Sequence, residues 1–126
     1  MSSKSNLNSS ASPPRTSKSP ESKLFLVVRG DLPFGQQAIQ SAHALREFSE
    51  HHPDIDRMWY QESNTLIMKA VKDERALLAL AEKLETRGIQ FSSFREPDRN
   101  HELTALAIEP SGKKLLQGLP LAMAGA

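Results

Sequence analysis

No cysteine occurs among the 126 residues. That excludes a disulfide framework, a thiol nucleophile and a thiolate zinc site, and it is compatible with a reducing compartment. Long hydrophobic runs are missing as well. Runs such as Leu24–Val28 and Ala105–Ile108, and the six residues Ala76–Ala81, are far too short to cross a bilayer, and no N-terminal hydrophobic signal region precedes them. Neither sign of charge dominates, since sixteen Lys plus Arg stand against fifteen Asp plus Glu. No G-x-x-x-x-G-K, G-x-G-x-x-G or G-x-S-x-G occurs, so nucleotide-fold and serine-hydrolase readings lack support. No internal repeat is present.

What the chain does contain is unevenly spread. Residues 1–22 hold nine serines, three prolines and, as apolar residues, Met1, Leu7 and Ala11. Such a segment buries too little surface to offset its ordering entropy and reads as a disordered tail. It is rich in Ser and poor in acid, as some organelle transit peptides are, but it lacks their apolar face. Lys4, Arg15 and Lys18 against Glu21 give the tail +2, which leaves −1 for the remainder of this +1 chain. A body so balanced gives no general attraction for nucleic acid, and any such site must be a local patch. About a hundred residues remain to fold, enough for one domain with one modest core.

Within that remainder, Lys23–Arg29 is a continuous apolar run that reads as a buried strand. Gly30–Asp31–Leu32–Pro33 breaks it. From about Phe34 to His52 the spacing is helical, with Ala38, Ala42, Leu45 and Ser49 on one stripe and Ile39 and Phe48 flanking it. Pro33 suits the helix start and Pro53 follows its end. Thr65–Val71 is a second strand. Asp73 is a plausible N-cap for a helix whose apolar face is Leu77, Leu80, Ala81 and Leu84, and Arg87–Gly88 closes it. Ile89–Arg95 and Leu103–Glu109 are two more strands around the polar loop Glu96–Glu102. Ser111 can cap a short helix holding Leu115 and Leu116, and residues 119–126 are expected to fray. The fold class is therefore α/β: a single domain over residues 23–118 with a four-stranded mixed sheet in the order β-α-β-α-β-β-α, helices packed on the sheet.

Ligands of open α/β sheets bind outside the carboxyl ends of strands, beside helix N-termini. The first such corner carries Arg29, Asp31, Gly35, Gln36, Gln40 and His43. Gln36, Gln40 and His43 fall at i, i+4 and i+7, one polar stripe of two amides and an imidazole that can bind a carbonyl or phosphate and move a proton. The same stripe also suits the boundary strip of a half-buried helix. The loop Arg95–Glu102 is a second candidate, whose carboxylates can orient His43 or activate water and whose arginines can hold phosphate; it also reads as an ordinary solvated loop. His51–His52 reads as a helix terminus, and His101 with Asp98 and Glu102 fits no zinc pattern. Trp59–Tyr60 reads as a packing anchor.

LVVRGDLPFGQQAIQSAHA (26–44) resembles the first strand and helix of type II peptidyl-tRNA hydrolases, whose pattern there is roughly V-V-R-x-D-L-x-M-x-x-G-K-x-A-A-Q-x-x-H-A. The matching residues are Val28, Arg29, Asp31, Leu32, Gly35, Ala38, Gln40, His43 and Ala44. Trp59, the strand TLIMKAV, the helix ALLALAEKL, and FRE (94–96) followed by TALAIEP (104–110) match in order, so the resemblance spans roughly residues 23–118.

The resemblance implies hydrolysis of the ester joining a peptide, or an N-blocked aminoacyl group, to the terminal ribose of tRNA, in the cytoplasm and with neither metal nor cofactor. His43 and Gln40 take the family's histidine and glutamine, Glu96 stands where an Asp usually follows Arg, and Thr104 matches the threonine opening the last strand. His43, oriented by a carboxylate, would activate water, while Gln40 and backbone N–H groups stabilise the oxyanion. Asp98 is the other carboxylate for that site. Arg29, Asp31, Gly35, Gln36, Arg95 and Arg99 would line it or bind substrate. The partner implied is tRNA, with no membrane; the family is often dimeric, which allows a homodimer. Two departures stand out. Gln36 replaces the family's lysine, a neutral dipole for a cation, and Glu96–Pro97–Asp98 replaces its Asp-Ala-Gly loop. The alternatives are a non-catalytic tRNA or peptide binding module with the same fold, and a hydrolase of another small ester or amide.

Overall fold

The seven residues from Lys23 to Arg29 carry apolar side chains on both sides of an extended chain, and they form a strand covered on both faces, β1 (Lys23–Arg29), in which Leu24, Val27 and Val28 are fully buried. This computed structural model describes residues 22–124. Residues 1–21, 125 and 126, and the expectations made for them, lie outside the described residues. After β1 come α1 (Phe34–His51), α2 (Pro53–Glu62), β2 (Thr65–Val71), α3 (Glu74–Thr86), β3 (Phe91–Glu96), β4 (Glu102–Ile108) and the single-turn α4 (Lys113–Leu116). Short 3-10 turns at Pro97–Arg99 and Pro110–Gly112 flank β4.

The sheet is mixed, in the order β2-β1-β4-β3. β2 runs parallel to β1, whereas β4 is antiparallel to both β1 and β3. The two apolar faces of the central strands generate two cores. Leu24, Leu26, Val28, Ala105 and Ala107 pack against Ala44 and Phe48 of α1 and Trp59 of α2. Phe25, Val27, Leu103, Leu106 and Ile108 pack against Leu77, Leu80 and Leu84 of α3 and Leu116 of α4. As the sequence indicates, Asp73 caps α3, its side chain accepting the Ala76 N–H at 3.0 Å, and Gly88 ends the helix at φ +71°.

Four local expectations are corrected. The buried face of α1 is Gln37, Gln40, Ser41, Ala44 and Phe48, whereas Ala38 and Ala42 are exposed and Ile39 is 53% exposed. An apolar count misses this face because its polar members find acceptors inside: Gln37 Nε2 donates to the Leu32 carbonyl at 2.7 Å, although Gln37 Oε1 has no partner among the described residues, and Ser41 Oγ donates to the Ala38 carbonyl at 2.8 Å. Pro53 does not merely follow a helix. It occupies the first turn of α2, where its missing N–H is harmless and Asp54 and Asp56 favour the helix N-terminus. Trp59 of that unforeseen helix is the anchor expected, buried with Nε1–H donating to the Thr65 carbonyl at 2.7 Å. Ser111 lies inside a 3-10 turn, and α4 has no side-chain cap. Residues 120–122, expected to fray, pair with β2, the Ala70 N–H donating to the Pro120 carbonyl at 3.0 Å and the Ala122 N–H to the Met68 carbonyl at 2.9 Å.

One irregularity of the sheet positions the candidate site. Phe94 pairs with Ala105, but the next residue, Arg95, pairs with Leu103, so Thr104 is the extra residue of a bulge in β4. Strict alternation would put Thr104 on the α3 side with Leu106 and Ile108. The bulge reverses the faces beyond it. Leu103 joins the α3-side core instead, and the Thr104 hydroxyl reaches Gln40 on α1.

Candidate functional site

β1 ends on Arg29, a cation whose side chain is nearly covered, and a covered guanidinium needs its donors matched. Arg29 donates to both oxygens of Asp31 at 3.0 and 2.9 Å, to Glu102 at 2.8 Å and to the Leu103 carbonyl at 3.4 Å. Hydrogen bonds to Asp31 and Glu102, with their charge, hold the guanidinium protonated well above its usual range, outweighing the cost of burial. Reciprocally, the Arg29 hydrogen bonds are the main reason that Asp31 and Glu102 sit below the usual carboxylate range. Arg99 joins this group, its Nε 3.5 Å from Glu102. Arg29 therefore fastens the end of β1 to the start of β4 and to the turn that follows β1.

A second network lies one step along α1. Gln40 is 1% exposed and Thr104 fully buried. The Thr104 hydroxyl lies 2.7 Å from Gln40 Oε1, to which it donates, and 3.2 Å from the Phe94 carbonyl. Gln40 Nε2 donates to Glu96 Oε1 at 2.7 Å and to Gln36 Oε1 at 3.2 Å. This pattern fixes the Gln40 amide orientation, because the reverse would set its carbonyl oxygen against the Glu96 carboxylate. The Gln40 hydrogen bond, followed by the Asp98 backbone N–H at 3.2 Å on Oε2, lowers the Glu96 pKa, with smaller help from nearby His43 and Arg99. Gln36 is exposed, and since its carbonyl oxygen takes the Gln40 N–H, its NH2 group is left for solvent or a ligand.

His43, one turn beyond Gln40, is exposed and lies flat on Phe94 of β3, ring centroids 4.4 Å apart and planes within 11°. Among the described residues no side chain hydrogen-bonds its ring nitrogens. The expected orienting carboxylate is thus replaced by an aromatic stack, with Glu96 near enough to act through charge. Both nitrogens of the imidazole are left to accept or release a proton at the surface.

The structure gathers most of the sequence candidates but not into one layer. His43 and Gln36 stand at the surface, whereas Gln40, Glu96 and Thr104 form the support beneath. The oxyanion role expected of Gln40 is not available in this arrangement, because both its amide hydrogens are engaged. Asp98 contributes its backbone N–H. Gly35 is exposed in the first turn of α1, with nothing within 4 Å of where a Cβ would stand. Arg29, Asp31 and Arg99 form the neighbouring ion cluster. Arg95 does not join: it pairs with Leu103 on the α3 side of the sheet and donates to the His101 carbonyl at 3.1 Å. Phe94, Gln37 and Glu102 were not among the site residues expected from the sequence, although Phe94 lay in the FRE match and Glu102 was a carboxylate of the polar loop. No group of three or more His, Asp or Glu side chains that could hold a metal occurs among the described residues. No helix among them is long and apolar enough to cross a membrane.

Comparison with known proteins bears on the same stretch of chain. The family model described as peptidyl-tRNA hydrolase PTH2 matches residues 22–120. No curated protein gives a significant match. Among solved structures, a protein of unknown function from Agrobacterium tumefaciens superposes with a TM-score of 0.60 at 17% identity, over 80% of this chain and 97% of that one. At that identity the likeness concerns the fold.

Proposed function

We propose that this chain, which belongs to the peptidyl-tRNA hydrolase PTH2 family, hydrolyses the ester bond of peptidyl-tRNA or N-blocked aminoacyl-tRNA, releasing peptide and free tRNA in the cytoplasm. The observation that carries the reading is the family match over residues 22–120, a stretch that holds the exposed His43 and Gln40 on α1 and their partners Glu96 on β3 and Thr104 on β4. In the step proposed, His43 takes a proton from water as the water oxygen attacks the ester carbonyl carbon. The carbonyl oxygen becomes an oxyanion, for which the outward NH2 of Gln36 is the donor at hand. Collapse breaks the bond from carbonyl carbon to ribose oxygen, and His43 returns the proton to that oxygen. Thr104, Gln40 and Glu96 are positioning residues, because they act through Gln36 and through the loop that carries Asp98. Arg99 is the arginine left near the surface of the site for a tRNA phosphate; Arg95 faces away.

A specific feature supports a second reading, a binding module without chemistry: a neutral amide stands where the family has lysine. One assay separates the two. Release of an N-blocked aminoacyl group from tRNA by the purified protein should fall by about 10²-fold or more in His43→Ala, and Gln36→Lys should raise the rate. Tight tRNA binding with no turnover would favour the module, and turnover indifferent to His43→Ala would remove His43 from the mechanism.

A further inference from the structure

At the end of the sheet away from His43, α2 leaves a groove that the proposed activity does not use. Seven-residue β1 puts its first residue about 20 Å from Arg29, and the groove opens beside that first residue. It holds about 410 Å³. Ile55, Met58 and Trp59 of α2 line it together with Pro110. Met58 is 59% exposed, a large apolar side chain left in water. The rim is acidic: Asp54, Glu62 and Glu109. Glu109 accepts the Gln90 backbone N–H at 2.7 Å. Ser22 also lines the groove, held there by the Ser63 hydroxyl donating to its carbonyl oxygen. Ser22, the first described residue, thus puts the start of the described chain against the groove.

We propose that this groove is a docking surface for the chain's own segment Pro13–Pro14–Arg15–Thr16–Ser17–Lys18. Three arguments converge on that occupant. The first is reach: Lys18 lies four residues before Ser22, which itself lines the groove, and four residues of chain span up to about 14 Å. Charge gives the second, since residues 1–22 carry +2 while the groove is lined by three carboxylates, Asp54, Glu62 and Glu109. The third is the apolar lining itself. Consecutive prolines are restricted to extended polyproline-like geometry before they bind, so seating them against Trp59, Met58 and Pro110 loses little chain entropy. Tethering supplies an effective concentration in the millimolar range, so weak contacts suffice. The docked segment leaves the His43 end of the sheet open.

The absence of native cysteine gives a direct test on the full chain. A nitroxide on Ser12→Cys should broaden the backbone amide signals of Ile55, Met58, Trp59 and Ser111 at least twofold more than in the same protein carrying Arg15→Glu and Lys18→Glu. Adding Glu62→Lys and Glu109→Lys to that charge-reversed tail should restore the broadening. The tail substitutions lie outside the domain core, so misfolding does not confuse the result. Equal broadening in the charge-reversed protein would overturn the proposal. So would broadening that appears only between labelled and unlabelled molecules, which would make the occupant a second copy. No hydrolysis is measured, so the outcome stands whichever way the activity assay falls.

Discussion

Gln40 places both amide hydrogens and its carbonyl oxygen on protein partners, and Thr104 is the partner with no route to water. Thr104→Val keeps the shape but leaves Gln40 Oε1 without its donor in a covered place. That should lower stability by roughly 1–3 kcal/mol, read by urea denaturation, whereas Thr104→Ser should retain most of it. A valine variant as stable as the parent would mean that the hydroxyl is not the donor. The letters Gln36, Gln40 and His43 were legible as a polar stripe because helical spacing fixes which residues share a face. Their division into two at the surface and one beneath was not legible, because it depends on how far α1 is rotated against the sheet. Phe94 was invisible for a related reason. A phenylalanine in a strand has many uses, and only the approach of α1 makes this one the bed for an imidazole.

Among the elements, β1, β2 and α3 could be read almost to the residue, since each carries a local signal: an unbroken apolar run, a mostly apolar stretch with Thr65, Ile67 and Val71 β-branched, or a cap, an apolar face and a closing glycine. Asp73→Ala removes that cap and should cost about 1 kcal/mol, measured as a shift of the denaturation midpoint with an unchanged slope. No loss would show that Glu74 or solvent serves the first turn equally well. α2 escaped because its ten residues hold only Ile55, Met58, Trp59 and Tyr60 as large apolar side chains, and Met58 and Tyr60 face water. The bulge at Thr104 escaped too. Nothing in the string ELTALAI marks where one strand gains a residue over its neighbour, yet that extra residue turns Thr104 from the α3 core toward α1.

At the scale of the whole molecule, three carboxylates held low by their partners tie stability to acid. Asp31, Glu96 and Glu102 have pKa values lowered on folding. Their contribution is therefore complete above the ordinary carboxylate range, near pH 4, and is lost as pH falls through the depressed folded values. Calorimetry should show Tm steady from pH 8 to about 5 and falling below pH 4. Arg29→Met should be less stable than the parent at pH 7, with a gap that narrows toward pH 3 as Asp31 and Glu102 take up protons. A gap of constant width would uncouple the cluster from acid unfolding. By itself the sequence determined the α/β class, the succession of the four strands along the chain and the family pattern around His43, because periodicity, caps and motif spacing are local properties of the chain. It also determined that no cysteine chemistry takes part. Only the tertiary structure decided which face of α1 is covered, which residue of β4 bulges and which arginine reaches the site. Those outcomes rest on contacts between residues dozens of positions apart, such as Gln40 with Glu96 and Thr104, which bring hydrogen-bond partners to a covered polar side chain.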